Sequence, residues 1–119
     1  MRVEIVDPDR MSLAGLMVGS LLGRNLADER LAARARRMRG PVAVDAGGMR
    51  LVLEFGGDTV RVRRGECERP RVTVTATLDA LLDVALGGGA VGAFLGRRVR
   101  FRGNPFVALR MLPLLRVRS

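Results

Sequence analysis

Between Val42 and Val62, apolar residues fall at every second position of three short segments, and the segments are separated by glycine turns. Val42 and Val44 precede Gly47-Gly48. Leu51, Leu53 and Phe55 then alternate with Arg50 and Glu54 and, after Gly56-Gly57-Asp58, Val60 and Val62 alternate with Arg61 and Arg63. Successive side chains of a strand point to opposite faces, so a period of two keeps an apolar stripe on one side of a sheet and scatters it around a helix. Turns this short join antiparallel neighbours. The stretch predicts a three-strand meander with one apolar and one charged face.

The same period returns at Val72 and Val74, alternating with Thr73 and Thr75, and at Val99 and Phe101, alternating with Arg98, Arg100 and Arg102. That makes five strands. Arg2-Val3-Glu4-Ile5-Val6 also alternates before the turn Asp7-Pro8-Asp9 and is an extra N-terminal edge strand on this reading. Elsewhere the period is helical. Ser12 is placed to cap a helix whose Leu13, Leu16, Met17 and Leu21 form one stripe. Asp28 opens a second helix extending to Arg39, with Leu31, Ala35 and Met38 on one face and arginines on the other, before Gly40-Pro41 returns the chain to strand. Thr77 caps Leu78 to Leu86, turning Leu78, Leu81, Leu82 and Ala85 inward and Asp79 and Asp83 outward, and Asn104-Pro105 starts a last helix that Pro113 limits. The expected fold is α+β: a single domain spanning residues 1–119, with a five-stranded, mainly antiparallel sheet covered by helices on one face and wet on the other.

The residue inventory leaves little room for catalysis. Histidine, lysine, tyrosine and tryptophan are absent, so Ser12, Ser20 and Ser119 have no base to activate them. Metal binding would fall to scattered carboxylates. Asp79 and Asp83 are four apart on a helix, but Asp79 suits the first turn of that helix and both suit a solvated face. Gly87, Gly89 and Gly92 match the spacing of a dinucleotide fingerprint, yet they follow a helix rather than a strand and no acid stands about 20 residues on to hold a ribose. The lone Cys67, between Glu66 and Glu68, excludes an internal disulfide and fits a reducing compartment. Neither a catalytic residue, nor a metal, nor a cofactor is expected.

All 21 basic residues are arginine and the net charge is +9, which draws the chain towards anionic surfaces in general. On the charged sheet face, Arg98, Arg100 and Arg102 are the candidate contacts for such a surface, a transient anionic membrane among them. The aromatics Phe55 and Phe101 fall on the apolar phase, so the stacking platform of an RNA-binding sheet is missing. Met11 to Leu22 is too short an apolar run for a span of about 20 residues, and a cytoplasmic protein is expected.

The order from Pro70 to Leu112 (short strand, Leu-rich helix Leu78 to Leu86, glycine turn, Ala93-Phe94-Leu95-Gly96, basic strand Arg97 to Arg102, then Gly103-Asn104 and a helix) resembles the C-terminal half of the sterol carrier protein 2 family of lipid-binding domains. The similarity runs from about Leu13. It implies a tunnel between sheet and helices that takes a sterol, a fatty acyl chain or a phospholipid. By position, that tunnel would be lined by Leu81, Leu82, Ala85 and Leu86, by Phe94 and Leu95, and by Phe106, Leu109 and Leu112. Two features depart from the family pattern: Gly-Gly-Ala-Val stands before Phe94 in place of a polar proline turn, and no peroxisomal tripeptide ends the chain. The resemblance implies a non-catalytic lipid carrier. The alternatives are an accessory module that presents a lipophilic intermediate, such as a quinone precursor, to a biosynthetic enzyme, and a packed scaffold that binds an anionic partner through its arginines.

Overall fold

A computed structural model describes residues 1–79 and 99–107. Six strands form one sheet: β1 (Arg2–Ile5), β2 (Arg39–Ala46), β3 (Met49–Gly56), β4 (Thr59–Arg64), β5 (Val72–Ala76) and β6 (Val99–Gly103). Their order is β1-β4-β3-β2-β5-β6. The meander β2-β3-β4 is antiparallel, with Val44 opposite Leu51 and Leu53 opposite Val62. The N-terminal edge strand forms as expected and runs parallel to β4, Val3 beside Val60 and Ile5 beside Val62. On the other side β5 runs parallel to β2, and β6 closes the order antiparallel to β5.

Helices α1 (Leu13–Asn25) and α2 (Glu29–Arg36) cover the apolar face. Both N-caps are the residues the sequence nominates: the Gly15 amide donates to Ser12 Oγ at 3.2 Å, and the Arg30 amide donates to Asp28 Oδ1 at 2.8 Å. Val42, Leu51, Leu53, Val60, Val62 and Val72 are fully buried beneath the helices, and Leu31, Ala35 and Met38 meet them as the α2 spacing predicts.

Three expectations are corrected. First, α1 is rotated from the predicted stripe: Leu13 is 54% and Leu16 41% exposed, while Ala14, Val18, Leu21 and Leu22 are buried. Small residues set that phase, because a Cβ on Gly19 would stand 2.9 Å from Ile5 Cδ1. The helix thus approaches the sheet closely at Gly19, with Leu21 and Leu22 buried and Leu13 and Leu16 turned outward. Second, α2 ends at Arg36, and a tight turn in which the Met38 amide donates to the Ala35 carbonyl leads straight into β2 at Arg39. Pairing of Arg39 with Gly56 wins over a further helical turn.

The third correction concerns the far face, which is not simply wet. Strands β4 and β5 are parallel, with β3 and β2 between them. The link from Arg64 to Val72 must therefore cross the sheet, and it passes over the face opposite the helices, where Gly65, Glu66, Cys67 and Pro70 stand above Ala43, Asp45 and Thr73. The crossing covers about 16 Å, three strand spacings and two residues of register, whereas about 27 Å of extended chain is available. The surplus lets the crossover arch.

One ion pair ties α2 to the β3–β4 turn: Arg36 Nε lies 2.9 Å from Asp58 Oδ1, and the same turn accepts the Arg2 amide at the Asp58 carbonyl. The Arg36 hydrogen bond, with the nearby amino group of Met1, holds the Asp58 carboxyl below the usual carboxylate range. A depressed folded-state pKa stabilises the protein above the unfolded value, near pH 4, and that stabilisation is lost as pH falls through the lower folded value. Asp58→Asn is expected to be less stable than wild type at pH 6, with the difference vanishing once pH drops below the lowered carboxyl value. Urea melts across that range are the check, and a gap that did not narrow as the pH was lowered would contradict the assignment.

Candidate functional site

Two regions carry the chemistry. The first is the apolar, helix-covered side of the sheet. Leu81, Leu82, Ala85, Leu86, Phe94, Leu95, Leu109 and Leu112 lie outside the described residues, as do Arg98, Asp83 and the glycine series Gly87, Gly89 and Gly92. What the structure places is how the chain leads into those segments. Helical backbone starts at Leu78, directly after the Thr77 position. The β2–β3 turn packs against that start: the Gly47 amide donates to the Ala76 carbonyl at 3.0 Å, and a Cβ on Gly47 would stand 2.9 Å from Leu78 Cβ.

The last helix is set in place by Gly103-Asn104-Pro105. Gly103 ends β6 opposite Val72 with φ of 115°, and a Cβ there would meet the Arg71 carbonyl oxygen at 2.7 Å. The Asn104 amide donates to that same carbonyl at 2.9 Å, while Asn104 Oδ1 accepts the Phe106 amide at 2.9 Å and the Val107 amide at 3.4 Å. Asn104 is therefore the N-cap and Pro105 takes the first turn, where its missing N–H costs nothing. Val107 points into the core at 8% exposure, and its neighbour Phe106 is 73% exposed. Phe101 on β6 is half-buried against the core.

The second region is the far face. The arching crossover leaves a cavity of about 290 Å³, lined by Ala43 and Asp45 of β2, Arg50 of β3, Thr73 and Thr75 of β5, and Gly65, Glu66, Cys67 and Pro70 of the crossover. Arg50 sits between two carboxylates, 3.6 Å from Asp45 Oδ2 at its Nε and paired through Nη1 with Glu66. Asp45 Oδ1 also accepts the Gly48 amide at 3.0 Å, which fixes it to the β2–β3 turn. Next along β3, Glu54 pairs with Arg63 of β4 at 3.1 Å. Arg100 and Arg102 are exposed and stand beside Thr75 and Thr73 across the β5–β6 ladder, and no ion pair joins either to another described residue. Cys67 is half-buried.

Sequence reasoning found Arg100 and Arg102 but missed Thr73, Thr75, Glu66, Cys67 and Pro70 as neighbours in one cavity. A signal existed: Val52 is apolar on the charged phase of β3, and it is fully buried. Among the described residues no group of three or more histidine, cysteine, aspartate or glutamate side chains is arranged to hold a metal ion, and no helix is long and apolar enough to cross a membrane.

Comparison with known proteins bears on the first region. The family model described as the SCP-2 sterol transfer family matches residues 20–116. Among solved structures, the palmitated SCP2L2 of Aedes aegypti is similar with a TM-score of 0.69 and 18% identity, covering 92% of this chain and 98% of its own. A ubiquinone synthesis protein, UbiJ-SCP2, is similar with a TM-score of 0.62 and 20% identity, covering 87% and 92%. The sterol carrier protein domain 2 of Helicoverpa armigera gives 0.57 and 19%, covering 98% of each chain. At these identities the likeness is one of fold. No curated protein matches the chain.

Proposed function

Because this chain belongs to the SCP-2 sterol transfer family, whose domains bind and transfer lipids, we propose that it is a non-catalytic carrier holding a sterol, a fatty acyl chain or a phospholipid between the sheet and the helices over it. The observation that carries the reading is the family match across residues 20–116. The apolar sheet face supports it, since every strand of the meander turns its apolar phase towards the helices. On this reading the lining comprises Leu81, Leu82, Ala85 and Leu86, Phe94 and Leu95, and Leu109 and Leu112, while Phe106, exposed at the start of the last helix, is not part of it. A sterol-sized ligand of about 28 heavy atoms, at about 0.3 kcal/mol per atom, would bind with roughly 8 kcal/mol, a dissociation constant near 1 μM. Such an affinity suits a carrier that must also release.

The likeness to UbiJ-SCP2 favours a second reading, in which the bound molecule is a lipophilic biosynthetic intermediate presented to an enzyme. One experiment addresses both. Native mass spectrometry of protein purified without detergent, followed by organic extraction, is expected to show about one lipid per chain and to identify its class. An intermediate of quinone type together with a co-purifying enzyme selects the second reading. A clean apo mass, unchanged after incubation with sterol, fatty acid and phospholipid, overturns both and leaves a packed scaffold.

A further inference from the structure

We infer that the cavity under the 65–70 crossover is a second binding site, on the opposite side of the sheet from the lipid-binding region, and that it takes a phosphate or carboxylate group carried on a small polar molecule. A crossover with chain to spare arches away from a floor of Ala43, Thr73 and Thr75 and leaves about 290 Å³ open to solvent on one side. At roughly 30 Å³ per water molecule, that is the volume of about ten waters, enough for a small organic anion.

Charge decides which sign of ligand fits. The cavity's own carboxylates are already committed: Asp45 to the Gly48 amide and Arg50, and Glu66 to Arg50. Glu68 and Arg69 of the crossover offset each other, and the charges that then tip the balance, Arg100 and Arg102, are positive. Arg100 flanks Thr75 and Arg102 flanks Thr73 across the β5–β6 ladder, and directly paired side chains on one face stand about 5 Å apart at Cβ. Two hydroxyl donors with a guanidinium next to each form a row that matches the oxygens of a tetrahedral or planar anion, and guanidinium–oxyanion hydrogen bonds are among the strong ones. Arg30 and Arg34 of α2 and Arg37 at its end are exposed as well, but none of them lines this cavity.

The test is an amide-resolved NMR titration of the full chain with inorganic phosphate and with glycerol 3-phosphate, against sodium chloride at matched ionic strength. Saturable shifts centred on Thr73, Thr75, Arg100 and Arg102 are expected, with Arg30, Arg34 and Arg37 unmoved. Thr73→Val with Thr75→Val, a substitution strands accept, should weaken binding about tenfold or more, and Arg100→Gln with Arg102→Gln should do the same, both with unchanged thermal melts. A parallel arm adds phosphatidylglycerol vesicles: saturation by soluble glycerol 3-phosphate assigns a free metabolite, whereas response of the same resonances to vesicles alone assigns a lipid headgroup. Shifts that grow linearly, that chloride reproduces, or that survive the threonine pair unchanged overturn the site. The lipid reading is unaffected by either result, since it is settled by what occupies the other face.

Discussion

Gly103→Ala is expected to lower stability by about 3 kcal/mol, from two costs that add. A residue with a Cβ is strained at a φ of 115°, which by itself costs about 1–3 kcal/mol. The new methyl would also stand 2.7 Å from the Arg71 carbonyl oxygen and 3.1 Å from Val72 Cα, both backbone atoms that cannot swing aside. Moving them would break the Asn104 amide bond to that carbonyl and shift the Asn104 cap with it. Gly48→Ala separates the two costs, because Gly48 also has positive φ, 87°, but has nothing within 4 Å of its Cβ position. It should lose only about 1 kcal/mol. Chemical melts of the two variants side by side are the check. Equal losses would mean that the close approach of β6 to the Arg71–Val72 backbone is not tight, and with it the anchoring of the last helix.

Local signals were legible and distant partnerships were not. The two-residue period, the Gly47-Gly48 and Gly57-Asp58 turns and the caps Ser12, Asp28 and Asn104 each depend on residues close in sequence, and each forms. The phase of α1 was misread because Leu13 and Leu16 outweigh Gly15 and Gly19 in any hydrophobic count. Packing, however, rewards the small residues that let the helix approach Ile5 and Val62. The parallel pairings β1–β4 and β2–β5 are set by which strand fills an open sheet edge, something no local pattern encodes. From β5's place the route of the 65–71 crossover follows, and from that route the far-face cavity. The lipid-side candidates rest on helix phase and family likeness, and of these the structure places Phe106 alone, on the exposed side of the last helix's first turn while its neighbour Val107 is buried.

Val52→Asp is expected to cost about 4 kcal/mol, which is a large part of the roughly 5–15 kcal/mol that holds a domain of this kind together. A reading of β3 by period alone gives the opposite answer. Val52 shares its face with Arg50 and Glu54, both of which carry charge there without penalty, so a carboxylate between them would look harmless and even well matched to Arg63 opposite. The structure argues otherwise because Val52 is fully buried. Ala43 flanks it on β2 and Arg63 on β4, the Arg63–Glu54 pair lies alongside, and the crossover spans the same face. A carboxylate at that position would lose its water, and Arg63 would have to leave Glu54 to compensate it, so desolvation outweighs the attraction. Val52→Thr, with the same shape and one hydroxyl, should lose only about 1–2 kcal/mol. Urea denaturation of the two variants decides between the readings. If Val52→Asp melts within about 0.5 kcal/mol of wild type, the value expected of an open surface position, the crossover does not seal the face, and the walls of the cavity beneath it would have to be redrawn.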